Sequence, residues 1–182
     1  VVLASVLLLE RSPSANWQMT DALRKAGQER LDQIWAEVRN FDSLESGKDW
    51  ANLGIAHGWA GLLYATLRWH VETAAQLPED LPHRLAELLH CAYPIGRGLS
   101  WPWRVKGRGG NSSMPGWCNG SAGIVHLGCL AHKVIGDECY FAMAEGAAWN
   151  AWEAGVDVVD LCCGLAGRAY SLLCLYQHCG DR

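Results

Sequence analysis

The sequence has little of several things, and each shortage excludes a class of protein. Positive charge is not in excess: 15 Lys and Arg against 19 Asp and Glu leave a formal net charge of −4. Such a balance gives no electrostatic reason to expect nucleic acid. Long hydrophobic runs are scarce. VVLASVLLL, which opens the chain, is nine residues, too short to cross a bilayer. No basic residue precedes it and no clear small-x-small cleavage site follows, so it reads as a buried helix rather than a signal remnant. Alternation of period two is not sustained in any segment, and no strand of consequence is expected. No CxxC pair occurs either, which removes the commonest zinc and redox spacings.

What is present is apolar and helical in character. Half of the 182 residues are hydrophobic, with ten Trp and 20 Gly against two Phe. That balance fits tightly packed helices with aromatic plugs better than a β-sandwich rich in Val, Ile and Thr. The length suits one domain, 1–182, with a sizeable core. Eight cysteines in such a chain do not imply a disulfide framework, which belongs to short secreted proteins with poor cores. Cys129 and Cys174 sit inside apolar helical runs and Cys91 closes another. They read as small buried hydrophobes rather than reactive thiols. A reducing cytoplasm is the compartment that fits.

The organisation comes from a repeat. HGWAG (57–61), NGSAG (119–123) and CGLAG (163–167) share Gly-x-Ala-Gly, and each leads into a strongly apolar segment. Their starts lie 62 and 44 residues apart, the longer gap holding RGLSWPWRVKGRGGNSSMPG at 97–116. Arg97, Arg104, Lys106 and Arg108 make this segment basic, with Trp101 and Trp103 among them; it reads as a solvated insertion. Between the glycine-led segments lie one-faced helices at 20–41, 79–93 and 137–155. In the first, Leu23, Ala26, Leu31, Ile34, Trp35, Val38 and Phe41 form the apolar face, with Thr20 as N-cap. Helices apolar all round, alternating with one-faced ones, imply two layers with the first kind inside. The expectation is seven helices in an all-α, α/α ring or solenoid. Its inner members lie at 58–75, 121–134 and 165–178, and their glycines let inner helices approach closely where they begin.

Equivalent inner helices start at one end of such a ring. His57, Cys118, Cys162 and Cys163 then converge on one opening, although they are far apart in sequence. Three thiols at one mouth suit zinc, and three ligands leave a fourth position open, as catalytic zinc requires. Spacing alone leaves a bland alternative, three small buried residues at helix starts.

GIAHGWAG, WCNGSAGI and LCCGLAG resemble, in that order, the signature segments of the lanthionine synthetase C-like family. The resemblance covers roughly 50–178. It implies an α/α toroid of inner and outer helices, of which this chain holds about half. It implies Zn2+ held by Cys118, Cys162 and Cys163, as in the three-cysteine branch, and His57 as the active-site histidine. Trp117 and Asn119, beside the first ligand, are expected in the substrate pocket. The reaction implied is that of a lanthipeptide cyclase: conjugate addition of a cysteine thiol to dehydroalanine or dehydrobutyrine in a precursor peptide. A dehydratase or kinase domain, fused or separate, would supply the dehydrated Ser and Thr. A relative that adds glutathione would use the same site. Two further alternatives are an α/α-toroid glycoside hydrolase, with Asp157 and Asp160 as the only acids near an opening, and a non-catalytic scaffold. No nucleic acid and no membrane are expected as partners.

Overall fold

Each apolar segment singled out above is helical in the computed structural model, which describes residues 1–11, 17–47, 52–105, 114–155 and 158–180. The helices are α1 (Val2–Arg11), α2 (Trp17–Val38), α3 (Trp59–Thr73), α4 (Leu81–His90), α5 (Ser121–Ile135), α6 (Glu138–Glu153) and α7 (Leu165–Gly180). Neighbours in space follow a simple order. Helices α1, α3, α5 and α7 form one row, each packed on the next, while α2 lies on α1, α4 on α3, and α6 on α5 and α7. Inner and outer helices therefore alternate along the chain, as the patterning implies.

Burial explains the layering. From Ser121 through Cys129 every residue of α5 is buried, because this helix is enclosed by α3, α6 and α7. Gly128 allows the approach of α6: a Cβ there would lie 2.8 Å from Ala144 Cβ and 2.9 Å from the Tyr140 carbonyl. The outer helix α4 instead buries Leu81, Arg84, Leu85 and Leu88 and exposes the rest in part. Tryptophans fill the gaps between layers, and three of them have their indole N–H bonded. Trp35 Nε1 donates to Thr66 Oγ1 at 3.0 Å, Trp69 Nε1 to Gln28 Oε1 at 2.7 Å, and Trp101 Nε1 to the Leu88 carbonyl at 2.8 Å. Such pairing removes the cost of burying the polar end of the ring. At the two ends of the inner row, apolar side chains stay open to solvent. Leu7 and Leu8 of α1, and Tyr170, Leu173 and Tyr176 of α7, are each at least half exposed.

Four local expectations need correcting. Thr20 is not an N-cap: α2 begins at Trp17, and the Thr20 hydroxyl donates back to the Trp17 carbonyl at 3.0 Å. The buried face of α2 passes through Gly27 rather than Ala26, because the Trp69 ring occupies the space where a side chain at 27 would stand. Helix α4 stops at His90, and a short antiparallel hairpin follows, β1 (Tyr93–Ile95) paired with β2 (Gly98–Ser100). Finally, the segment that begins at 97 is not simply solvated. Arg97 lies 3.7 Å over the Trp149 ring and pairs with Glu153, and Trp101 is 1 % exposed. Lys106 and Arg108 lie outside the described residues.

Two buried arginines, unremarked in the sequence, close helix ends. Arg84 of α4 donates to the carbonyls of Val38 and Phe41 at the end of α2. Arg168 of α7 donates to those of Ala151, Trp152, Ala154 and Gly155 at the end of α6. A guanidinium satisfies several orphan carbonyls at once and faces the negative end of the helix dipole.

Candidate functional site

The three Gly-x-Ala-Gly steps are the same structure made three times. In each, the first two helical N–H groups bond to carbonyls seven residues back, closing a loop over the helix start. Trp59 and Ala60 donate to Asn52 and Leu53, Ser121 and Ala122 to Met114 and Pro115, and Leu165 and Ala166 to Val158 and Val159. The backbone thus supplies the cap, and neither Gly58 nor Gly120 shows a side-chain cap.

The glycines follow from this closure. A Cβ on Gly58, Gly120 or Gly164 would meet the capping carbonyl of Asn52, Met114 or Val158 at 2.1, 1.6 and 2.5 Å. A Cβ on Gly61, Gly123 or Gly167 would meet the loop carbonyl of Ile55, Trp117 or Leu161 at 2.2, 2.3 and 2.0 Å. The sequence suggested that these glycines serve contact between inner helices. Their nearest neighbour is the helix's own loop; only second come Ile55 Cγ2 beside Gly123 and Trp117 Cβ beside Gly167, from the preceding loop.

Neighbouring loops are joined at equivalent positions. Ala56 N–H donates to the Cys118 carbonyl at 3.0 Å, and Cys118 N–H to the Cys162 carbonyl at 3.1 Å. All three helix starts therefore lie at one end of the row. This register brings the cysteines together: Cys118 Sγ and Cys162 Sγ each stand 3.7 Å from Cys163 Sγ, and all three sulfurs lie within 4.8 Å of one another. Asp160 fixes the last turn by accepting a 2.7 Å bond from Cys163 N–H.

Three thiols at this spacing fit a soft tetrahedral metal. Zinc–sulfur bonds of about 2.3 Å in a tetrahedron place sulfurs about 3.8 Å apart. Cys118 is buried, whereas Cys162 and Cys163 are exposed. Burial, and hydrogen bonding with Cys162 and Cys163, push the Cys118 thiol up to about 12. The group is thus a poor thiolate site by itself, and a cation is what would ionise it.

The other expected residues are placed as follows. His57 is exposed on the first loop, one residue beyond the Ala56–Cys118 bond. Trp117 is half-buried, and its N–H donates to the Cys162 carbonyl at 2.9 Å. Asn119 is turned towards Gly54, and its Oδ1 is buried without a hydrogen-bond partner. Of the two acids considered for glycoside hydrolysis, Asp160 is held by backbone and Asp157 lies outside the described residues.

A sequence model described as lanthionine synthetase C-like protein matches residues 7–182. The chain belongs to that family. Lanthionine synthetase C-like membership fits the alternating helices and the three repeated loops. It also reaches nearly to the amino terminus, beyond the segment that carries the motifs. Among curated proteins, glutathione S-transferase LANCL1 of Danio rerio is 36% identical over 67 residues. That match covers 36% of this chain and 16% of the relative, so it spans a small part of either protein. Among the described residues no helix is long and apolar enough to cross a membrane.

Proposed function

We propose that the chain carries the zinc centre of a lanthipeptide cyclase, joining peptide cysteine thiols to dehydroalanine or dehydrobutyrine. The observation that carries this reading is the Cys118–Cys162–Cys163 cluster, with two sulfur–sulfur distances of 3.7 Å. Zinc held there would lower the pKa of an incoming thiol as it lowers that of bound water, readying sulfur for conjugate addition.

The remaining steps fall to side chains around the cluster. Attack at the β-carbon of the dehydroamino acid leaves an enolate at the α-carbon, which requires one proton. His57 is exposed on the adjoining loop and serves as that acid. Trp117 forms a wall behind the ligands, with Asn119 beside it lining the pocket. The substrate is a precursor peptide whose Ser and Thr have been dehydrated by another domain or protein.

A second reading keeps this chemistry and takes glutathione as the thiol. The partial match to a protein named glutathione S-transferase favours it. One experiment separates the two. The zinc-loaded protein is given a peptide with one dehydroalanine and one cysteine, with and without glutathione. Cyclisation leaves the mass unchanged and removes the thiol from alkylation; glutathione addition raises the mass by one glutathione and spares it. Product in neither arm would overturn both readings.

A further inference from the structure

Helices α5 and α7 pack together, and each carries a histidine in its last turn, His132 and His178. These follow the first residues of their helices by eleven and thirteen positions, roughly 16–20 Å from the end that carries the loop cysteines. The ring nitrogens His132 Nδ1 and His178 Nε2 stand 2.8 Å apart. Both residues are half-buried, and Phe141 of α6 packs against both rings, with centroids 5.6 and 6.0 Å away. An open cavity of about 500 Å³ reaches them, lined also by Tyr64, Lys133 and Gln177.

Glu138 decides which nitrogen of His132 is basic. Its Oε1 lies 3.3 Å from His132 Nε2, and an ionised carboxylate only accepts, so Nε2 carries the proton. In the neutral ring the lone pair is then on Nδ1, and His178 Nε2–H donates to it. A carboxylate behind one imidazole nitrogen, with the other nitrogen basic, is the outer arrangement typical of a metal-ligating histidine. The backbone adds to it. The last carbonyls of α5 and α7 place the negative ends of two helix dipoles here, which favours a cation. Lys133 on the cavity wall opposes this, and Glu138 supplies a compensating charge.

We propose that His132 Nδ1 and His178 Nε2 hold a late first-row divalent cation, zinc in particular, with cavity water in the remaining positions. Imidazole suits such ions. Two Zn–N bonds of about 2.0–2.1 Å at the tetrahedral angle put the nitrogens about 3.3 Å apart, so the rings need part by only about 0.5 Å. On binding, His178 gives up its Nε2 proton and carries one on Nδ1 instead, while Glu138 keeps its bond to His132. No thiol takes part: among the described residues, only Cys118, Cys162 and Cys163 bring three ligand atoms within 4.8 Å of one another. The ion would tie together the far ends of α5 and α7, whatever the loop thiols bind.

The test uses a chain carrying Cys118→Ala, Cys162→Ala and Cys163→Ala, so that the loop cluster takes no metal. It is titrated with Zn2+ at neutral pH and followed by long-range ¹H–¹⁵N spectra of the imidazoles. One equivalent should bind, shifting His132 Nδ1 and His178 Nε2 and leaving the rings of His83 and His90 on α4 unchanged. Adding His178→Gln keeps an N–H donor for His132 but removes a good ligand. Zinc affinity should then fall by more than about tenfold, a ligand counting for more than its outer partner, while circular dichroism shows the helices retained. Glu138→Gln should weaken binding by about tenfold, the lower end for such an outer partner. Failure of the triple variant to bind zinc would overturn the proposal. So would binding that leaves both ring nitrogens unshifted, or that survives His178→Gln undiminished.

Discussion

The N–H of Cys118 donates to the carbonyl of Cys162 at 3.1 Å, and the two residues hold the same position in successive copies of one loop. This bond sets the register in which residues 44 apart in sequence present their sulfurs to one point. Cys163, one residue on, is the equivalent of Asn119 and His57. The chain thus places chemistry at two neighbouring positions of a repeated scaffold.

If the three sulfurs hold one metal, each is indispensable. Cys118→Ala and Cys162→Ala should each weaken zinc binding by more than about 100-fold, since even partners outside the ligand shell are worth 10–100-fold. A competition titration with a chromophoric chelator reads this directly. Affinity unchanged in either variant would remove the residue from the ligand set.

Metal uptake should depend on pH. The Cys118 thiol, raised to about 12 by burial and then by its two cysteine neighbours, is protonated at neutral pH and must lose its proton on binding. Below that pKa, rising pH removes the competing proton, so affinity increases with pH. The expected slope is about tenfold per pH unit for each proton released. Titrations at three pH values, or calorimetry in buffers of different ionisation heat, give the proton count. A flat profile would contradict it.

His57→Asn separates metal binding from catalysis. The variant should keep its zinc, because His57 is not among the clustered ligands. Turnover should fall by about 10²–10⁴-fold, the usual worth of a general acid. Loss of metal together with activity would instead make His57 a ligand.

Glycine substitutions should sort by space. Gly120→Ala puts a methyl 1.6 Å from the Met114 carbonyl oxygen, so the loop must open, at a cost of at least about 3 kcal/mol. Gly136→Ala meets nothing within 4 Å, but φ is +80°, a penalty of about 1 kcal/mol. Gly155→Ala meets nothing and carries no such backbone cost, so it should be nearly neutral. Thermal unfolding of the three variants should give that order, Gly120→Ala melting lowest.

Arg168→Met keeps the buried stem and removes the cap on α6. Four backbone carbonyls lose their donor, with an expected loss of about 2–4 kcal/mol. A lower urea midpoint with an unchanged slope would show it. An unchanged midpoint would mean that other donors serve the helix end.

Helix identity was legible in the sequence because periodicity is a local property. The inner segments at 58–75, 121–134 and 165–178 agree with α3, α5 and α7 to within about two residues, a usual margin at helix ends. The Gly-x-Ala-Gly repeat marked their common starts, and with them the convergence of Cys118, Cys162 and Cys163. Other features needed the folded chain. Gly27 rather than Ala26 faces the core because the Trp69 ring arrives from α3, 42 residues away. Nothing in the sequence singles out Arg84 and Arg168; packing lays them over the ends of α2 and α6. The hairpin at 93–100 has strands too short for any alternation to register, and Ser121 Oγ on α5 holds it through the Leu99 carbonyl. Sequence alone determined what each segment buries and where each inner helix begins, since spacing along one helix sets both. Tertiary structure decided which side chains meet, because contacts across helices depend on rotation and register that no single segment contains.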